Sequence, residues 1–128
     1  MKTVGIFQLI IFSTILFGCY YDREAVLYPP QPLTNCDTST ITYSQTIVPI
    51  IDQYCYSCHS SSNSQSAGGG YNLEGYNNIK PYAIPNGTLI KSINFTPGVN
   101  PMPNGGVKIP DCDILKIQLW INAGSPNN

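Results

Sequence analysis

The sequence predicts an all-α fold for the last ninety or so of its 128 residues. Two segments near the ends of this region, residues 46–54 and 111–122, carry apolar side chains at helical spacing. Between them the chain shows no alternation of strand and helix patterns, and only short helices are predicted, at residues 76–82 and 88–93. About ninety residues suffice for one small domain, near the size at which a cofactor or cross-link usually completes the core.

The first predicted helix leads directly into a cysteine-rich motif. Pro49 is tolerated only in the first turn of a helix, so this helix is expected to begin close to Thr46. Residues 60–70, which follow the motif, have no apolar period and predict a flexible loop. The apolar face of the helix is formed by Ile47, Ile50, Ile51 and Tyr54.

The last predicted helix has clear boundaries. Asp111 and Asp113 lie near its positive amino end, and Gly124 follows its carboxyl end. Trp120 is interpreted as a packing anchor against the first helix and the haem edge and not as an electron relay. The main apolar arc contains Ile114, Ile117, Trp120 and Ile121.

The amino terminus predicts export and a lipid anchor. Lys2 precedes an apolar run over residues 4–17, too short to span a bilayer but typical of a secretory signal, so residues 1–18 are predicted to be a signal peptide. Leu16-Phe17-Gly18-Cys19 resembles the lipobox of bacterial lipoproteins, in which the chain is cleaved before a cysteine that carries diacylglycerol. Free secretion would favour a small residue where Leu16 stands. Residues 19–35, rich in proline, predict a lipid-anchored spacer at the outer membrane or the periplasmic face of a bacterial envelope, and residues 36–128 form the domain.

The charge of the mature chain argues against nucleic acid as a partner. After residue 18 there are five basic and seven acidic side chains, a net charge of −2. Phosphate binding requires a cluster of positive charge, which is missing from this sequence.

Residues 55–59 read Cys-Tyr-Ser-Cys-His, the attachment signature of a c-type haem. The thiols of Cys55 and Cys58 can each add across a haem vinyl group, and His59 is then placed as the proximal iron ligand. A redox disulfide would leave His59, the only histidine of the chain, without a role. A zinc site would need a second pair of ligands at similar spacing. One covalent haem c is therefore predicted.

The mature chain contains one methionine, Met102, between Pro101 and Pro103. Flanking prolines restrict the backbone of a loop that presents a soft thioether to iron. Met102 is therefore predicted to be the second axial ligand; the alternative is a methionine that fills the core.

Assignment of Cys19 to lipid and of Cys55 and Cys58 to haem leaves Cys36 and Cys112 as a pair in an oxidising compartment. A disulfide between them is predicted, and the chain-entropy model gives it roughly 4 kcal/mol of stabilisation. Two buried, unpaired cysteines remain the alternative.

The chain resembles a class I-type monohaem cytochrome c domain over about residues 44–125. The likeness rests on the Cys55–His59 motif, on Met102-Pro103 with Gly105, and on a last helix that ends Trp120-Ile121-Asn122-Ala123-Gly124, as in lipoprotein-type haem domains. It implies an all-α fold with crossing first and last helices, a haem in the core and His/Met iron.

The function expected from these features is one-electron transfer by an exported, lipid-anchored carrier that is not an enzyme and forms a monomeric domain. An unidentified redox protein would be its partner. Two alternatives remain: an open-site haem protein that binds peroxide or gases, and a haem module of a larger surface oxidoreductase complex.

Overall fold

The computed structural model describes residues 35–128. The predicted signal peptide, Cys19 and all but the last residue of the proline-rich spacer lie outside this range. Residues 35–128 contain helices and turns and no strand, which confirms the all-α prediction. The elements are a π-helical turn (Tyr43–Ile47) and four helices, α1 (Val48–His59), α2 (Tyr76–Ile79), α3 (Thr88–Ile93) and α4 (Asp111–Asn122).

The first helix begins earlier than predicted, because a π-helical turn precedes α1 without a break. Thr42 caps the turn, accepting at its Oγ1 a hydrogen bond of 3.2 Å from the Gln45 N–H. Pro49, the second residue of α1, has no N–H to donate, and its ring disfavours a regular α turn before it. The π-helical turn therefore occupies the residues just before Pro49, where the proline disfavours regular α-helical geometry.

The helix α2 is shorter than predicted and ends at Ile79. Pro81 has no N–H to bond the carbonyl of Asn77, so the α pattern stops there. Instead, the Tyr82 N–H donates to the Ile79 carbonyl at 3.0 Å in a tighter turn. The predicted bounds of α3 and α4 are confirmed.

The core lies between the π-helical turn and α4, with α3 packed against α4. Trp120 is 1% exposed, stacks on Tyr43 with ring centroids 5.6 Å apart, and donates its indole N–H to the Pro126 carbonyl at 2.9 Å. The packing role predicted for Trp120 is therefore seen at the start of the first helix, whereas Trp120 does not line the cavity beside the carboxyl end of α1, where the haem edge was expected. The largest fully buried aliphatic side chains are Ile47, Ile51, Ile79, Ile93, Ile109, Ile117 and Ile121.

A disulfide and a pair of hydrogen bonds connect residues that are far apart in the sequence. Cys36 and Cys112 form a disulfide, with Cα atoms 5.5 Å apart, that links the segment before the π-helical turn to the first turn of α4. At the other end, Asn128 accepts hydrogen bonds of 2.9 Å from the N–H groups of Tyr43 and Ser44. Across residues 35–128, none of the helices has the length and apolarity needed to traverse a bilayer.

Candidate functional site

A cavity of about 680 Å³ opens beside the carboxyl end of α1. This volume falls in the range of roughly 300–1,000 Å³ typical of sites for small molecules and cofactors. Leu73, Leu89 and Ile93 supply part of its apolar wall. The structure brings all four predicted haem residues to this one cavity: Cys55, Cys58, His59 and Met102.

The two cysteines lie three positions apart on α1, so both face the cavity, but their environments differ. Cys55 is 9% exposed, whereas Cys58 is exposed. Burial, with a smaller contribution from the Cys58 thiol, raises the pKa of Cys55 to about 12. At neutral pH the Cys55 sulfur of the polypeptide is therefore a protonated thiol facing an apolar wall.

His59, the last residue of α1, has its ring fixed by a backbone group. Its Nδ1 lies 2.9 Å from the carbonyl oxygen of Tyr71. A carbonyl only accepts, so Nδ1 carries the proton and donates, which leaves Nε2 with a free lone pair. This tautomer suits an imidazole that binds a metal through Nε2, because the hydrogen bond at Nδ1 orients the ring and raises its basicity.

Gly68 packs directly against this arrangement. A Cβ atom at position 68 would lie 2.5 Å from the Cys58 carbonyl oxygen and 2.9 Å from His59 Nδ1. Real Cβ atoms essentially never approach other heavy atoms this closely, so only glycine fits without displacing the neighbouring groups. The backbone of residue 68 thus forms part of the wall that holds His59.

The prediction of a flexible loop over residues 60–70 is wrong, since the segment is folded by hydrogen bonds. The Ser64 N–H donates to the Ser60 carbonyl at 2.9 Å, and Asn63 Nδ2 donates to the Ser57 carbonyl at 3.0 Å. Ser64 is only 3% exposed. The hydrogen-bond partners of residues 60–70 include groups on α1 and groups beyond residue 70. The composition of residues 60–70 alone does not reveal them.

Met102 lies on the loop between α3 and α4, far along the sequence from residues 55–59, and it also lines the cavity. Its backbone N–H donates to the Ser92 carbonyl at 3.1 Å, which ties the loop to α3. The side chain is half-buried. The loop therefore holds a soft thioether sulfur at the cavity through a backbone contact.

The residues present fit a covalently attached haem. Two thiols are available for two vinyl groups, one imidazole nitrogen and one thioether for iron, and apolar side chains for the porphyrin face. By contrast, within residues 35–128 no three His, Cys, Asp or Glu side chains are grouped as they are around a protein-bound metal ion.

Two contributors to the site were missed in the sequence: Gly68 and the Tyr71 carbonyl. The run Gly68-Gly69-Gly70 was a signal of close backbone approach, though not of its partner. Tyr71 contributes a main-chain oxygen, which every residue has, so no sequence pattern marks it. Glu74, outside the cavity, is exposed and accepts a hydrogen bond of 2.7 Å from the Ser61 N–H.

Comparison with known proteins gives one informative likeness. No family model matches the chain, and no solved structure matches it. The chain is 28% identical over 92 residues to the hydrazine synthase subunit alpha of Kuenenia stuttgartiensis, a match that covers 72% of this chain and 11% of that subunit. The chain thus spans about one ninth of the relative's length.

This likeness corrects one expectation. The sequence favoured a carrier that is not an enzyme, and that prediction is wrong, because the matched protein is a subunit of a synthase, which is an enzyme. The expectation rested on the sequence, which shows no arrangement of acidic and basic side chains that would support acid–base catalysis. Such groups need not lie in every part of an enzyme, because a cofactor or another part of the assembly can supply the chemistry.

Proposed function

We propose that residues 36–128 form a c-type haem domain, similar to a class I-type monohaem cytochrome c, that transfers single electrons as a component of an enzyme. The single observation that carries the proposal is the cavity on which Cys55, Cys58, His59 and Met102 meet. These residues lie up to 47 positions apart in the sequence, yet all line one space of cofactor size. The likeness to part of a synthase subunit supports an enzyme setting for the domain.

The residues of the chain would divide the work as follows. Cys55 and Cys58 would form thioether bonds, in which each S–H adds across a vinyl group and nothing is oxidised or released. His59 would bind iron through Nε2, while the Tyr71 carbonyl holds Nδ1–H. Met102 would supply its thioether sulfur as the second protein ligand to iron, a ligand that favours the ferrous state. When bound, the haem supplies a one-electron couple.

The proposal extends to the cellular setting. We place the domain on a lipid-tethered arm, with residues 1–18 as signal peptide, Cys19 as the acylated residue and residues 19–35 as spacer. Two or three acyl chains anchor a protein firmly, since each buried methylene contributes about 0.8 kcal/mol. The partner is a redox centre within the same enzyme or in another envelope protein.

The decisive experiment is intact mass of the mature protein after acid–acetone extraction, which removes haem that is not covalently attached. We expect one haem per chain in the wild type, and none in the Cys55→Ala/Cys58→Ala double variant. Ser57→Ala is the matched control, because Ser57 lies between the two cysteines and also lines the cavity. A wild-type mass equal to that of bare polypeptide would contradict the proposal.

A second measurement separates electron transfer from oxygen or peroxide chemistry. We expect a low-spin ferric spectrum with the weak sulfur-to-iron band near the red end of the visible range. High-spin iron that binds cyanide and carbon monoxide freely would instead support an open-site haem enzyme or sensor.

A further inference from the structure

We propose that Glu74 is a positioning residue for His59, acting through two chain segments that hydrogen bonds join. The segments are residues 59–61 and residues 71–74, and we call them the proximal clasp. This inference rests on the proposed function, since the role of the clasp is to fix the imidazole that would bind iron. It assigns a functional part to a carboxylate on the surface, outside the cavity.

Four hydrogen bonds join the two segments. Tyr71 accepts from His59 Nδ1 at 2.9 Å, and the Leu73 N–H donates to the His59 carbonyl at 2.8 Å. The remaining two involve Ser61: Asn72 Nδ2 donates to Ser61 Oγ at 3.3 Å, and the Ser61 N–H donates to Glu74 Oε2 at 2.7 Å. The imidazole bond is therefore the first contact of a connected set, and the Glu74 bond is the last.

The Glu74 contact differs from the others in kind. It is the only one of the four with a charged partner, and charge-assisted hydrogen bonds are shorter and stronger than neutral ones. The Ser61 N–H correspondingly holds the pKa of Glu74 below its ordinary value, so the carboxylate is ionised at neutral pH. The clasp is thus closed at its far end by a short, charge-assisted contact.

The path from Glu74 to the Tyr71 carbonyl is short and fixed. The Glu74 N–H donates to Asn72 Oδ1 at 2.9 Å, which sets the turn of residues 72–74. On the other side, the Tyr71 N–H donates to the Gly68 carbonyl at 3.1 Å. Because residues 71–74 are held to residues 59–61 by several bonds, release of Glu74 would remove one of these supports and loosen the Tyr71 carbonyl from His59.

Loosening the hydrogen bond between His59 Nδ1 and the Tyr71 carbonyl is expected to change the reduction potential, because this bond affects the basicity of the imidazole. Donation from Nδ1–H to a carbonyl increases the basicity of the ring and so stabilises ferric iron. A weaker hydrogen bond would raise the reduction potential. Removal of any nearby negative charge would also raise it, so the charge effect has to be separated from the clasp.

Asp52 provides the matched control. It is an exposed carboxylate on α1, outside the proximal clasp. Asp52→Asn removes one negative charge and leaves the clasp intact. Glu74→Gln removes the charge but keeps an oxygen acceptor, whereas Glu74→Ala removes both.

The experiment measures the reduction potential and the hydrogen exchange of the Leu73 amide in the haem-loaded full chain. We expect the potential to rise in the order Asp52→Asn, Glu74→Gln, Glu74→Ala, and the Leu73 amide to exchange severalfold faster only in the Glu74 variants. If Glu74→Ala does not fold, Glu74→Gln against Asp52→Asn decides the matter. Equal potentials and unchanged Leu73 exchange in the Glu74 and Asp52 variants would overturn the proposal.

These outcomes are distinct from failure of the proposed function. A wild-type chain without covalent haem would contradict the haem assignment by mass alone. The Leu73 exchange is read from the folded full chain independently of the reduction potential, so it tests whether Glu74 closes the clasp.

Discussion

Gly68→Ala tests the wall behind the proposed iron ligand. The new methyl group would lie 2.5 Å from the Cys58 carbonyl oxygen and 2.9 Å from His59 Nδ1. Forcing a methyl group into a well-packed site costs about 1–3 kcal/mol. The substitution also restricts the unfolded chain, which favours folding by about 0.4–1 kcal/mol. The overlap is the larger effect, so a net loss of roughly 1–2 kcal/mol is expected.

For a domain of this size, each kcal/mol lowers the melting temperature by about 4–8 °C, so the fall is roughly 4–16 °C. Because the methyl group presses on the imidazole, the variant should also lose the Nδ1–Tyr71 hydrogen bond, with a higher reduction potential. Thermal unfolding and redox titration measure the two effects.

Gly106→Ala is the control for this prediction. Position 106 offers a looser fit, with the nearest atom, Pro103 Cβ, 3.1 Å from the new methyl group, and no contact with His59. It carries the same gain from the unfolded chain. If both variants melt at the same temperature and keep the wild-type potential, the assignment of Gly68 to the histidine wall is wrong.

Four further predictions follow from the site and its supports. Met102→Ala should abolish the band near the red end of the visible spectrum, lower the reduction potential and admit carbon monoxide, whereas an unchanged spectrum would exclude ligation by Met102. Alkylation of denatured protein without reductant should modify neither Cys36 nor Cys112, and loss of their disulfide should reduce the unfolding free energy by about 4 kcal/mol in denaturant titration. Cys19→Ser should move the protein from the detergent phase to the aqueous phase or block its processing; a wild type that is soluble without detergent would contradict the anchor. Because the folded-state pKa of Glu74 is lowered, its stabilising effect is present above the unfolded pKa and is lost as the pH falls through the folded one, so Glu74→Gln should flatten the acid limb of the stability profile.

The helices were predictable where the sequence signals were local. The bounds of α4 follow from two aspartates in its first turn, Gly124 just beyond its end and isoleucines at helical spacing. The end of α2 was predicted three residues too late. The helix stops at Ile79 because Pro81 has no N–H to continue the pattern. The early start of the first helix was missed because Pro49 indicated a boundary, and the π-helical turn that precedes it has no simple sequence signature.

The candidate site was predictable in its reactive side chains and not in their supports. Cys55, Cys58, His59 and Met102 are recognisable by residue type and spacing, and the structure places them at one cavity. The supports are backbone groups and long-range partners, such as the Tyr71 carbonyl, whose chemistry is the same at every position. The serine-rich segment, residues 60–70, shows the same limit. Its low complexity predicted flexibility, whereas hydrogen bonds, some of them to groups outside the segment, fold it.

The hydrogen bonds between Asn128 and the start of the first helix have a consequence for architecture. They hold Tyr43 and Asn128, 85 positions apart, within hydrogen-bonding distance, so the start of the first helix and residue 128 lie side by side. A unit of this geometry can be spliced into a surface loop of a host protein, or circularly permuted, without disturbing its interior. The cavity is formed by residues 54–109, so a connection made beside Tyr43 and Asn128 would not interrupt the segments that line it.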